Sequence, residues 1–209
     1  MSFHVETVTP PAIEPITLAE AKAQLRVGFT DDDLLIGDLI STAREMVEAE
    51  ISRSLINRQS NMFMDFFPGG APLFAILREI QRGYHQRPAE INDAVFIPNP
   101  PLVSVDLVTY TDPNGNILTL DPSFYRVATG TPGRITSLYG VPWPVTRAVA
   151  DAVTVKFTSG YGTTTASLPN CARNACKLLV AHLYVNRTDP EIPSAIKKIL
   201  APINWGRYR

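Results

Sequence analysis

The stretch Phe29–Ile40, FTDDDLLIGDLI, sets three consecutive aspartates, Asp31, Asp32 and Asp33, directly before an apolar run. Such a cluster either gathers a cation or opens a helix. A calcium loop needs a glycine turn and a distal glutamate at fixed spacing, and neither is present. In a first helical turn, by contrast, carboxylates face unpaired backbone N–H groups and stabilise by about 0.3–1 kcal/mol each. Thr30 stands three residues before Asp33, the spacing of a capping box, and Phe29 precedes Leu34 as a hydrophobic staple would. Behind them Leu35, Ile36, Leu39, Ile40, Ala43, Met46, Val47 and Ile51 recur at helical spacing, with Asp38, Arg44, Glu45 and Glu48 between them. The pattern predicts a long amphipathic helix that ends near Ser52–Ser54.

The first fifteen residues, MSFHVETVTPPAIEP, are rich in proline and β-branched residues, so residues 1–16 read as an extended N-terminal arm. Thr17 and Glu20 repeat the capping-box spacing and predict a short helix over Leu18–Leu25. After residue 54 the period changes to two. RQSNMFMDFF (58–67) alternates as a strand does, and PLVSVDLVTYTDPNGNILTL (101–120) reads as two strands joined at Asp112–Gly115. FYRVATGTPGRITSL (124–138) and AVTVKFTSGYG (152–162) supply three more. Residues 68–98, bounded by proline, form an elaboration on this β region, with a short helix expected at Leu73–Arg82.

Helical spacing returns in LPNCARNACKLLVAHLYVNR (168–187), where Ala172, Ala175, Cys176, Leu179 and Leu183 make one stripe. A second short helix begins at Pro193, with Ile196, Ile199 and Leu200 on its apolar side, and stops at Pro202. Residues 204–209 form a tail. The expected fold is α+β: a mainly helical bundle, helices within 17–54 and 168–201, with a small inserted antiparallel β-sheet over 58–158 and extended N- and C-terminal arms. One domain over 17–203 accommodates all of it.

The 209 residues are 45% hydrophobic and 19% charged, with a formal net charge of −1. This balance lacks the basic surplus of a dedicated nucleic-acid binder, and no apolar run approaches the roughly 20 residues that span a membrane. Charge is unevenly spread. Residues 1–60 hold ten acidic and five basic side chains, a net −5, whereas Asn170–Arg209 holds seven basic and two acidic, a net +5. Without a basic n-region and apolar h-region at the start, synthesis in a reducing cytoplasm is expected. Cys171 and Cys176, five apart on one helix, point to different sides and suggest neither a disulfide nor a metal site.

Motifs of catalysis are missing. His4, His85 and His182 form no H-x-x-x-H or H-E-x-x-H pattern, and no G-x-S-x-G elbow, P-loop or dinucleotide fingerprint occurs. SGYG (159–162) follows a strand without the lysine of a phosphate cradle. No catalytic residue, metal ligand or cofactor is expected. Two competing readings stay open: a small enzyme of unrecognised type and a nucleic-acid-binding module.

The order of ITLAEAKAQLRV (16–27), DDDLLIGDLISTAREMVEAEISRSLINRQ (31–59), NPPLVSVDLVTYTDPNGN (99–116), LDPSFYRVATGTPGRI (120–135), VTVKFTSGYG (153–162), LPNCARNACKLLVAHLYVNR (168–187) and IPSAIKKILAPI (192–203) resembles the head-tail connector, or adaptor, proteins of long-tailed bacteriophages and gene transfer agents. The resemblance implies a non-catalytic virion protein of the neck, made in the host cytoplasm. It implies a homo-oligomeric ring, a dodecamer, beneath the portal protein, extending the DNA channel and giving a docking platform to a downstream stopper or tail-completion protein. Passing, non-specific contact with packaged DNA would accompany that position, and no membrane is involved. A ring made head to tail suits unlike charges on its two joining faces. Asp38, Glu45 and Glu48 on the long helix are therefore candidates for the subunit interface, and Lys197, Lys198, Trp205, Arg207, Tyr208 and Arg209 for the portal interface.

Overall fold

Thr17 opens the first helix as its spacing to Glu20 requires: its hydroxyl accepts the Glu20 N–H at 3.2 Å, and the Glu20 carboxylate accepts the Thr17 N–H at 3.0 Å. The computed structural model describes residues 3–68, 94–187 and 191–205. In chain order they form β1 (Phe3–Thr9), α1 (Leu18–Leu25), α2 (Asp33–Ile51), β2 (Arg58–Met64), β3 (Ala94–Ile97), β4 (Leu102–Thr111), β5 (Ile117–Thr119), β6 (Tyr125–Ala128), β7 (Gly133–Ser137), β8 (Val153–Ser159), α3 (Asn170–Val185) and α4 (Ser194–Leu200). The helix expected at Leu73–Arg82, His85, and the tail residues Arg207, Tyr208 and Arg209 lie outside the described residues.

The chain divides into two units, one of Met1–Pro10 with Gln59–Ser159 and one of Pro11–Arg58 with Gly160–Arg209. All four described α-helices lie in the second, the helical unit. Its core comes from one stripe on each helix: Ile36, Ile40, Ala43, Val47 and Ile51 of α2 meet Ala172, Ala175, Leu179 and Leu183 of α3, and Ile196 and Leu200 of α4 close over them. Cys176 belongs to this core, and burial pushes its thiol up to about 12. Glu20 does more than cap. Its carboxylate also pairs with Arg173 at 2.7 Å and Lys177 at 2.9 Å on α3. The Thr17 N–H and the Lys177 ammonium hold its pKa down at about 2, far below the ordinary 4.5.

The other unit has no α-helix among its described residues, only a short 3-10 turn at Pro122–Phe124, and forms two sheets, ordered β1-β2-β8-β4-β5 and β3-β7-β6. Inward and outward residues alternate along β8, where Val153, Val155 and Phe157 are buried, and along β2, where Met62 and Met64 are buried. Val95 of β3 and Ile135 of β7 join the same core, and the Phe67 and Trp143 rings stack at 4.7 Å. This β content corrects the expectation of a mainly helical bundle with one small sheet. The architecture is mixed α+β with two antiparallel sheets. The difference comes from β1 and β3, whose partners lie far along the chain: Phe3–Thr9 pairs with β2, and Ala94–Ile97 pairs with β7.

At SGYG the close approach is backbone to backbone. Tyr161 N–H donates to the Leu55 carbonyl and Asn57 N–H donates to the Gly162 carbonyl, both at 3.0 Å. Gly160 has φ +141°, and a Cβ there would stand 2.5 Å from the Asn57 nitrogen. Within the helical unit, this two-bond ladder ties the outgoing chain to the returning one.

Candidate functional site

Two of the three aspartates of Phe29–Ile40 are taken up by the fold. Asp33 pairs with Lys22 of α1 at 2.5 Å, and Asp32 accepts the Tyr184 hydroxyl of α3, which raises the phenol's pKa through that hydrogen bond. Asp31 is exposed. The expected box at Thr30 does not form: Asp32 is the N-cap, without a side-chain cap bond, and Asp33 N–H donates to the Thr30 carbonyl at 3.0 Å. Nor is there a buried staple, since Phe29 is 52% and Leu34 87% exposed. The helix begins where these carboxylates find cations and hydroxyls on α1 and α3, so its start is set by tertiary partners.

The candidate interface residues of α2 part ways. Asp38 and Glu45 are exposed and seven residues apart, two turns along one side. Glu48 faces inward, and its buried carboxylate accepts Arg44 at 3.4 Å, Arg58 at 3.1 Å and the Leu55 N–H at 2.7 Å. Arg44 also pairs with Glu14 at 2.9 Å and Glu45 at 3.2 Å. Burial works against the Arg44 charge, but Glu14, Glu48 and Glu45 outweigh it and hold the guanidinium above its ordinary value. Glu48 therefore anchors an internal network and is removed from the set that can meet a neighbour.

On the basic side, Lys197 and Lys198 project from α4 and are exposed. Trp205 turns back onto the helical unit. Its backbone N–H donates to the Ile51 carbonyl at 2.9 Å, and the Arg53 guanidinium lies 5.9 Å from its ring centroid. Asn204 Nδ2 donates to the Glu50 carbonyl at 3.0 Å, and Arg53 Nε to the Ile203 carbonyl at 2.6 Å. The tail thus satisfies carbonyls that the last turn of α2 leaves without intrahelical donors. Sequence reading found no core for this tail because its partners lie at the far end of α2.

A third surface escaped sequence reading altogether. Pairing of Arg134 with Phe96 and Ala128, and of Thr136 with Arg126, places Phe96, Arg126 and Arg134 on one exposed face of the three-stranded sheet. The alternation R-V-A and G-R-I was legible, but the neighbour relation needed β3. Among the described residues, mostly apolar concavities include one of about 610 Å³ with Leu138, Tyr139, Val141 and Pro142, one of about 400 Å³ with Ile13, Ile16, Gly37 and Ile40, and one of about 300 Å³ with Phe3, Met62, Met64 and Val95. Among the described residues no three His, Cys, Asp or Glu side chains gather as a metal would require. What the surfaces offer is contact: an acidic pair, a lysine pair and an aromatic–arginine sheet face.

Residues 15–100 match the family described as phage gp6-like head-tail connector protein. No curated protein sequence matches the chain. Among solved structures, the fold is similar to that of a chain in the neck of an empty GTA particle computed with C6 symmetry, at TM-score 0.73 and 19% identity, covering 99% of this chain and 95% of that one. It is also similar to a chain of the virion of a native gene transfer agent particle, at TM-score 0.70 and 20% identity over 98% and 94%. A third is in the neck of a native GTA particle computed with C12 symmetry, at TM-score 0.70 and 18% identity over 98% and 95%. The resemblance to head-tail connectors read from the order of segments is thus met by a family match and a shared fold. No described helix is long and apolar enough to cross a membrane.

Proposed function

We propose that this chain is a structural, non-catalytic connector of the neck of a phage or phage-like particle. Copies form a ring beneath the portal, continue the DNA channel, touch the passing DNA without reading it, and present a platform to the next stopper or tail-completion protein. The observation that carries this reading is a connector-family match over residues 15–100 combined with likeness to neck chains along nearly the full length of both partners. Mixing the purified protein with portal and imaging the product tests it, with added ring density on the portal as the expected result. Binding to neither portal nor itself, together with steeply salt-dependent binding to duplex DNA, would replace it with the nucleic-acid reading.

Two finer assignments belong to the same reading. Asp38 and Glu45 meet basic residues of the next copy, so Asp38→Lys combined with Glu45→Lys weakens ring assembly at low salt. Undiminished assembly in light scattering would remove that face. Lys197 and Lys198, with the end of the chain at Arg207, Tyr208 and Arg209, dock on the portal. Because Asn204 and Trp205 serve the fold, the informative truncation removes only 206–209. It leaves circular dichroism and melting unchanged while portal capture falls by about tenfold or more, a hot-spot-sized effect. Full capture by the truncated chain would refute the docking role.

A further inference from the structure

The five-stranded sheet ends in two edges with no further strand among the described residues. At one end β1 has β2 as its neighbour and is exposed almost throughout, with Phe3 45% and Val8 46% exposed. At the other end, Ile117 of β5 is 76% and Leu118 41% exposed. An open edge offers a row of backbone N–H and C=O groups to another strand, and proteins commonly guard it with lysine, proline or an inward-pointing charge. Neither Phe3–Thr9 nor Ile117–Thr119 contains a lysine or a proline.

The two edges also differ in charge. β1 carries Glu6, whose side chain is 67% exposed, and no lysine or arginine. At the β4–β5 turn, next to the end of β5, lies the guanidinium of Arg147, exposed and over Gly115, while the Arg147 backbone N–H bonds the Thr111 carbonyl at 2.9 Å on the side of β4 away from β5. The acids nearest that turn are occupied: Asp112 accepts the Asn114 and Asn116 N–H groups, and Asp121 accepts that of Ser123.

We propose that neighbouring copies of this chain join edge to edge, the outer edge of β1 in one copy pairing with the outer edge of β5 in the next, with Glu6 set against Arg147. This joint rests on the connector reading above. Two different edges of one sheet make a head-to-tail contact, the kind that closes into a ring when the rotation between copies is right. Main-chain pairing supplies direction and register, as in strand addition to a sheet edge, and the joint covers Phe3, Val8, Ile117 and Leu118. β5 has three residues, so the backbone ladder is short and the charge pair contributes to choosing the partner edge.

The test is a charge exchange on full-length protein assembled on portal and counted by electron microscopy. Glu6→Arg and Arg147→Glu each keep the wild-type circular dichroism and each lower the yield of complete rings by about fivefold at low ionic strength, whereas the double exchange restores it. In a Cys171→Ser background, Thr7→Cys with Leu118→Cys yields a ladder of disulfide-linked oligomers under oxidation, and either cysteine alone does not. Rings that form normally in both single variants and show no ladder overturn the joint while leaving the connector reading intact. A wild-type chain that never forms rings on portal overturns both.

Discussion

Glu48→Ala is expected to lower the stability of the helical unit by about 3–5 kcal/mol, the usual penalty for removing one partner of a buried ion pair. The carboxylate is only 5% exposed, and its loss takes an acceptor from the Arg58 guanidinium at 17% exposure, from the Leu55 N–H and from Arg44 at 9% exposure, which keeps Glu14 and Glu45. Glu45→Ala is the internal comparison. That carboxylate pairs with the same Arg44 but is 70% exposed, so its removal changes stability by about 1 kcal/mol at most. Urea unfolding followed by far-ultraviolet circular dichroism reads both. A Glu48→Ala loss as small as that of Glu45→Ala would show that water reaches the network and that its burial is not what holds it.

Gly160→Ala is expected to cost about 2–6 kcal/mol, combining the strain of a side chain at positive φ with overpacking against rigid backbone. The added methyl meets the Asn57 nitrogen at 2.5 Å and the Ile56 carbonyl carbon at 2.6 Å, and neither can rotate away as a flexible side chain would. Gly37→Ala is the matched control within α2, where a Cβ meets nothing within 4 Å. There the gain in helix propensity raises stability by about 0.5–1 kcal/mol. Opposite signs for the same substitution in one unit, measured as denaturant midpoints, are the expected result. A neutral Gly160→Ala would mean that the Leu55–Asn57 and Tyr161–Gly162 ladder opens at little cost.

Where the physics was local, the residues announced it. Thr17 and Glu20 close a box within four residues, the stripe from Ala172 to Leu183 buries as its period requires, and β8 alternates as written. The failures share the opposite property. Asp32 and Asp33 look like a generic helix start, yet their partners are Tyr184 and Lys22. Glu48 sits among surface-like charges in the sequence and becomes buried only because Arg58 and Leu55 fold back on it. β1 resembles a loose arm until its antiparallel partner, fifty-odd residues on, supplies the missing ladder. Of the candidate contact surfaces, composition exposed the acidic and basic ends. The Phe96, Arg126 and Arg134 face depends on which strands lie side by side, which no single segment encodes.

The placement of residues 59–159 between the halves of the helical unit has a consequence for how the protein is born. On the ribosome α1 and α2 emerge early, with Ile36, Ile40, Val47 and Ile51 already in one stripe, but α3 and α4, which cover that stripe, follow only after the entire sheet unit. At ordinary elongation rates the delay is on the order of 10 s, far longer than a helix needs to form. During that interval the nascent chain carries a greasy helix pair with nothing to sit on. Slowing translation within the β region is therefore expected to increase this protein's loss to aggregation, and a chaperone that holds apolar helices is expected to reduce it.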